Sequence, residues 1–438
     1  MNLKKSLTLL ALGAFSASVA ACSTPATQNL DSNSSDPNIS ALSVDKYSGL
    51  KSGDVIPGEF IVKFKKGSKQ TNAFGNSTVK PLGGNTSDIV LVTSSTPNSN
   101  AISSNANVLW SEPNRVIRTP KTFDARPADP IESAIRADLD TPNDPMFGQQ
   151  YAHKISNSIA GWAAAKGKVQ DTIIAVTDTG ADVTHPDLKD KAVAGYSAYP
   201  GDPETKDLQG HGTHCFGIAA AMGNNAIGVA GVAMFPNIRV QPVKVLNSQG
   251  SGTYAAVADG MLWAATHGAK VISMSLGGPS SSKAMEDAVA TAVKNDVLVI
   301  VAMGNAGTDD MSYPAGIIGV MAVGATDSAD KIAGFSQFGK HISVAAPGVN
   351  ILSTFPQYKN GIGQMNYGSI SGTSMATPFV AGLAGLIRST NPSLTAAQTR
   401  SIIEKSADDL GDKGFDVHYG WGRVNVGKAL SSSLRLKK

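Results

Sequence analysis

The chain has 438 residues, 42% hydrophobic and 16% charged, with a formal net charge of +3 from 37 basic and 34 acidic side chains. That composition supports a large buried core and excludes a disordered chain. The length suits one large domain with a smaller one, and so mild a charge balance gives no reason to expect a nucleic-acid partner.

Lys4 and Lys5 open the chain, and an apolar or small-residue run follows from Leu7 to Ala21. It is too short to span a bilayer and has the form of a secretory signal peptide over residues 1–21. The run ends Val19-Ala20-Ala21-Cys22, which resembles a lipobox, so lipidation of Cys22 is expected; ordinary cleavage after a small residue is the other reading. Residues 22–54 form a tether, flexible from Ser23 to about Leu50, rich in Ser, Asn, Thr and Asp without apolar periodicity.

Alternation in Glu59 to Phe64 predicts a strand, and Asp88 to Val92 and Val108 to Ile117 complete a strand-bearing segment over residues 55–118. Residues 119–140 are charged and contain Pro, which predicts an exposed linker. Beyond it, Thr172 to Val176, Val271 to Met274 and Val297 to Val301 are continuous apolar β-runs, suited to strands buried on both faces. Helical stretches lie between them, such as Tyr254 to Thr266 and Ala284 to Lys294. The alternation predicts an α/β layered fold with a mostly parallel sheet over residues 141–432, and residues 433–438 form a tail.

Three segments carry groups for nucleophilic catalysis. Asp178 follows the apolar run Thr172 to Val176 within Val176-Thr177-Asp178-Thr179-Gly180, His211 opens a small-residue helix within Gly210-His211-Gly212-Thr213-His214, and Ser374 lies at the start of an apolar helix within Gly372-Thr373-Ser374-Met375. Serine needs a base within hydrogen-bond reach and a carboxylate to orient that base. Singly, such an Asp can be a turn residue, such a His a buried structural group, and such a Ser an N-cap. Together, in the order Asp, His, Ser, they point to a serine peptidase. An α/β-hydrolase would use a Gly-x-Ser-x-Gly elbow and the order Ser, Asp, His, which this chain lacks.

From about Thr141 to Leu430 the chain resembles the subtilisin family, and within it the thermitase-like and proteinase K-like members. Further motifs carrying the resemblance are Val271 to Gly278, Gly304-Asn305-Ala306-Gly307 and Tyr419 to Asn425. The resemblance implies a three-layer fold, an endopeptidase activity of broad, apolar-leaning specificity, Asp178 as orienter, His211 as base and acid, Ser374 as nucleophile, and Asn305 as oxyanion donor. It implies an extended peptide substrate between Gly250-Ser251-Gly252 and Ser275-Leu276-Gly277. Ala302, Met303, Gly304 and Ser312 would wall a primary pocket, and Tyr254, Val257 and Leu276 a second, apolar one. It also implies a structural, non-catalytic calcium site from Asp144, Asp187, the Asn225 side chain and the carbonyls of Gly223, Ile227 and Val229.

Residues 55–118 resemble the family's inhibitory propeptide, a small α+β domain; this makes the pro-segment an intramolecular partner and places an autoprocessing site in residues 119–140. His185 and His214 match structural positions, and Cys215 a buried thiol. Phe379 departs from the family, which usually carries a His there. The expected course is an exported precursor held at the membrane through Cys22, then a released enzyme acting on proteins and peptides. A catalytically silent, lipid-anchored binding protein on the same fold is the competing expectation.

Overall fold

The computed structural model describes residues 47–68, 74, 77–95, 99–129, 141–202 and 204–436. The expected signal peptide, Cys22 and most of the expected tether lie outside these residues.

The centre is a seven-stranded sheet in which every neighbouring pair is parallel. Its strands are β6 (Thr172–Asp178), β7 (Tyr196–Ser197), β8 (Ile238–Lys244), β10 (Val271–Met274), β11 (Leu298–Ala302), β12 (Met321–Thr326) and β13 (Ile342–Pro347), in the order β13-β12-β11-β10-β6-β8-β7. The two faces feed two separate cores: Leu298 and Ile300 of β11 point into one, Val299 and Val301 into the other. Period-two side-chain direction with apolar residues at every position requires this, because both faces are covered by helices.

One face carries α4 (His211–Ala220) and α7 (Thr373–Thr390), and the other α5 (Tyr254–Thr266) and α6 (Lys283–Lys294). Smaller helices are α1 (Ser99–Ser103), α2 (Tyr151–Ile155) and α3 (Ser158–Ala165), with α8 (Ala396–Ser406) and α9 (Val426–Arg435) at the C-terminal end. Because α9 runs to Arg435 with Ser433 buried, the first three residues of the tail expected from residue 433 belong to the helix. The fold class expected from the apolar runs is the one present, and the core of residues 141–432 is one layered α/β body.

Within residues 55–118, the expected pro-segment, strands β1 (Val55–Phe64), β2 (Thr78–Pro81), β3 (Ile89–Thr93) and β4 (Val108–Arg118) form a sheet in the order β2-β3-β1-β4, with β9 (Ser251–Thr253) added at its edge. Its inner face packs on α5 and α6, where Ile61, Leu82, Ile89 and Ile117 join their core. Polar contacts fix the docking. Glu112 accepts from Ser282 Oγ (2.6 Å), Lys283 N (2.9 Å) and Ala284 N (3.0 Å) at the start of α6. Asn114 Oδ1 accepts from Ala255 N (3.0 Å) at the start of α5. These are the N–H groups a helix leaves unpaired, so an acid there also meets the positive end of the helix dipole.

Two boundaries differ from expectation. Residues 47–54 are folded onto the pro-segment: Tyr47 is buried and Gly53 N donates to Val116 O at 2.8 Å. The apolar Tyr47 and the glycine-assisted turn at Gly53 hold them, so the tether expected to reach residue 54 does not include residues 47–54. Within the expected linker, β5 (Phe123–Pro127) is a strand; it pairs with β15 (Tyr367–Ser371), which pairs in turn with β14 (Ile351–Thr354).

Candidate active site

Asp178 is the last residue of β6, at the carboxyl edge of the sheet, where open α/β sheets bind their ligands. His211 is the first residue of α4, and its Nδ1 lies 2.8 Å from Asp178 Oδ1, with both side chains buried. Thr179 N donates to the same oxygen at 2.8 Å. Burial lowers the imidazole pKa, but the charge and hydrogen bond of Asp178, together with Cys215, outweigh it and hold His211 well above the ordinary histidine value. His211 Nε2 and Ser374 Oγ are both buried and make no hydrogen bond among the described residues, so each is free to engage a reacting group.

Ser374 sits in the first turn of α7, which follows β15 through Gly372. Thr373 fixes the nearby amide: Asn305 Oδ1 accepts from Thr373 N (2.9 Å) and Thr373 Oγ1 (2.7 Å). With its oxygen so used, Asn305 aims its NH2 outward, and Nδ2 donates to Lys121 O at 2.8 Å. A side-chain amide and a helix N-terminus converging on one carbonyl position suit a developing oxyanion.

Asp207 is a residue that sequence reasoning missed. Its buried carboxylate accepts from Thr179 Oγ1 (2.8 Å), Gln209 N (3.0 Å), Gly210 N (2.8 Å), Thr213 N (2.8 Å) and Thr213 Oγ1 (2.7 Å). It therefore ties the loop after Asp178 to the start of α4. The available signal was an acidic residue just ahead of the helix, the pattern of an N-cap. Ser275 Oγ, donating to Ser374 O at 2.8 Å, is a second support behind the nucleophile.

Cys215 lies one turn after His211, its Sγ 3.8 Å from His211 Nδ1 and 3.5 Å from Ser374 O. Burial pushes its pKa up, so it is a packed thiol and not a thiolate nucleophile. His214 Nε2 contacts Gly368 O at 3.2 Å, and burial lowers its pKa to about 3, which leaves it a neutral packing residue. His185 Nδ1 accepts from Asp187 N at 3.1 Å and so shapes that acidic turn. Phe379 packs against His153, ring centroids 5.6 Å apart, inside the core and away from the catalytic groups.

The two expected groove segments both contact the C-terminal end of β4. Gly252 and Ser251 pair with Ile117 and Arg118, and Gly277 N donates to Arg118 O at 3.4 Å. Thr119 N donates to Gly250 O at 2.9 Å. Tyr254, Val257 and Leu276 share an apolar cluster with Ile117. Ser312 Oγ lies against Gly277, where a Cβ would come within 2.4 Å. Ala302 ends β11 and Gly304 follows with a positive φ of 111°, while the Met303 side chain joins the core.

The expected calcium residues also come together. Asp144 accepts from Asn224 N (2.8 Å) and Asn225 N (3.4 Å); Asp187 accepts from Val229 N and from Tyr367 Oη, both at 3.0 Å. Burial pushes Asp187 up to about 6, and the Asp144 charge adds to it. Two buried carboxylates with no ion pair to a cationic side chain among the described residues, both facing the loop 224–229, suit a hard cation by their oxygen donors. In the structure Asn225 turns its NH2 to Asp187 (2.9 Å) and its oxygen to Ile227 N (2.8 Å), so it would have to reorient its amide to serve as a ligand.

Residues 169–422 match the family model described as "Subtilase family". The chain is similar to thermitase from Thermoactinomyces vulgaris, 43% identical over 291 residues, which cover 66% of this chain and 99% of the relative. It is similar to subtilisin Savinase from Lederbergia lenta, 46% identical over 253 residues, 58% of this chain and 88% of the relative. Among solved structures, fervidolysin from Fervidobacterium pennivorans superposes with a TM-score of 0.74 at 26% identity, covering 89% of this chain and 65% of that one.

Proposed function

The chain belongs to the subtilase family and is a serine endopeptidase, and on that basis we propose that it is an exported, zymogenic enzyme whose chemistry runs through Asp178, His211, Ser374 and Asn305. The observation that carries the assignment is the buried 2.8 Å contact between His211 Nδ1 and Asp178 Oδ1, with His211 Nε2 and Ser374 Oγ both uncommitted. Asp178 fixes the imidazole tautomer and orientation. His211 Nε2 takes the Ser374 proton as Oγ attacks the scissile carbonyl, then returns it to the leaving amine. The Asn305 amide and the Ser374 N–H stabilise the oxyanion.

Substrate strands add to Gly250–Gly252 on one side and Ser275–Gly277 on the other. None of the proposed pocket residues Ala302, Met303, Gly304, Ser312, Tyr254, Val257 and Leu276 carries a charge, so specificity is broad and leans apolar. Residues 55–118 act as the inhibitor in cis, supported by the insertion of β4 along the same cleft. Calcium, held by Asp144, Asp187 and the neighbouring carbonyls of Gly223, Ile227 and Val229, with Asn225 reoriented, stabilises the fold and takes no part in the chemistry. The signal-like start and Cys22 support a membrane-held precursor from which the mature enzyme is released.

The test is hydrolysis of casein by the protein and by Ser374→Ala, with labelling by a serine-directed phosphonylating reagent. Loss of hydrolysis in the variant and a label on Ser374 support the reading. A purified, folded wild-type protein that cleaves nothing and takes no label would favour the silent binding protein.

A further inference from the structure

We infer that the bond this enzyme cuts in its own precursor is Lys121–Thr122, and that the freed strand β5 stays on β15 as a cis competitor for the leaving-group side of substrates. The inference rests on the endopeptidase reading above and adds to it a site of self-modification and its consequence.

Three contacts trace the precursor chain through the whole cleft. Ahead of the bond, β4 ends antiparallel to β9 and Thr119 N donates to Gly250 O. At the bond, Lys121 O accepts from Asn305 Nδ2 at 2.8 Å, from the same amide that Thr373 holds in place. Beyond it the chain does not leave. Strand β5 pairs antiparallel with β15, Phe123 opposite Ser371, Arg126 opposite Ser369 and Pro127 opposite Gly368. β15 itself leads through Gly372 into Ser374. Phe123 stacks on Phe335, centroids 5.0 Å apart and planes 19° apart, and Ala128 N donates to Tyr367 O at 3.4 Å. A carbonyl on the oxyanion donor with backbone held on both sides is the one presented for attack.

In the cut, Ser374 Oγ bonds to the Lys121 carbonyl carbon and its proton passes to His211. The C–N bond to Thr122 then breaks, and the proton moves to the Thr122 nitrogen. Water hydrolyses the ester, leaving a Lys121 carboxylate and restoring Ser374. None of the β5–β15 contacts involves the broken bond, so all of them survive it. Ala125, Arg126 and Pro127 are exposed, so edge pairing, the aromatic stack and two long hydrogen bonds, from Ser371 Oγ to Asp124 Oδ2 (3.5 Å) and from Gln149 Nε2 to Asp129 O (3.3 Å), hold the arm. A contact that weak is displaceable, yet its covalent tether keeps it at high local concentration. Substrates that extend past the scissile bond compete with it, whereas those ending in a small leaving group do not.

The experiment matures the full chain and reads three quantities. Mass spectrometry of the released pro-segment should give a fragment ending at Lys121, and the partner fragment should begin at Thr122. The matured wild type and Arg126→Pro, which breaks the exposed strand, are then compared on a peptide p-nitroanilide and on a quenched peptide with four residues after the scissile bond. For a tether giving roughly 1 mM local concentration and an arm affinity of about 0.1 mM, kcat/KM on the quenched peptide should rise about tenfold in the variant. The p-nitroanilide rate should stay within about twofold. A pro-segment fragment with any other end, or an unchanged ratio between the two substrates, overturns the inference. Absent p-nitroanilide hydrolysis by the wild type would instead sink the endopeptidase reading itself.

Discussion

His211 Nδ1 and Asp178 Oδ1 lie 2.8 Å apart in a site closed to solvent. Burial alone would make the imidazole a weaker base; the Asp178 charge and hydrogen bond, with Cys215 beside it, reverse that and raise its pKa well above 6.5. Only the neutral imidazole can accept the Ser374 proton. Activity should therefore fall as pH drops through a midpoint above the ordinary histidine value. In Asp178→Asn that midpoint should move to lower pH, and kcat should fall by several orders of magnitude. The check is kcat/KM against pH for both forms, normalised by active-site titration. A wild-type midpoint at or below 6.5 would contradict the charge balance.

Asn305→Ala should lower kcat on the order of 100- to 1000-fold with little change in KM, the range established for removing the equivalent amide in subtilisin. The split between kcat and KM follows because the donor meets the oxyanion more strongly than the ground-state carbonyl. Steady-state kinetics on a peptide p-nitroanilide separates the two constants. Thr373→Val should lose part of the same effect, since Thr373 Oγ1 donates to Asn305 Oδ1 at 2.7 Å and helps hold the amide in place.

Asp207→Asn should reduce kcat per titrated active site and lower the melting temperature together. The carboxylate accepts five hydrogen bonds from the segments that carry Asp178 and His211, and an amide nitrogen cannot accept any. Leaving a buried donor unpaired costs about 1–3 kcal/mol. If the variant melts earlier but turns over normally per active site, Asp207 supports the fold and does not position the pair.

Chelation should lower the melting temperature of the inactive Ser374→Ala form, because a ligand that binds only the native state stabilises it by mass action. Asp187→Asn should abolish that calcium response while keeping the Ser374 label in an otherwise active background. Using the inactive form for melting separates lost stability from autolysis.

Glu112→Ala should loosen the pro-segment. The side chain caps α6 through Ser282, Lys283 and Ala284, and loss of a cap costs about 0.5–2 kcal/mol. A loss near 1.4 kcal/mol is about tenfold in affinity. The cleaved pro-segment should separate correspondingly faster from the enzyme on gel filtration. Unchanged dissociation would shift the docking energy to the apolar face around Ile61, Leu82 and Ile89.

Local sequence pattern encodes most of the elements and the identity of the reacting groups. Continuous apolar runs such as Val297 to Val301 suit strands buried on both faces, and the helix expected over Tyr254 to Thr266 is present with those bounds. Asp178, His211 and Ser374 were legible because each stands at an element boundary inside a distinctive segment, and boundaries are local. Other features depend on how the layers pack. Phe123 to Pro127 has no apolar alternation and ends in Pro, so nothing local marks it as a strand; its pairing exists because β15, more than 240 residues later, offers an open edge there. Asp207 reads as a cap until the fold brings Thr179 to it, and the direction of the Asn305 amide depends on Thr373 from another element. Periodicity records which face of an element is buried, whereas the convergence of polar groups from distant segments is set by chain topology and appears only once the layers have packed.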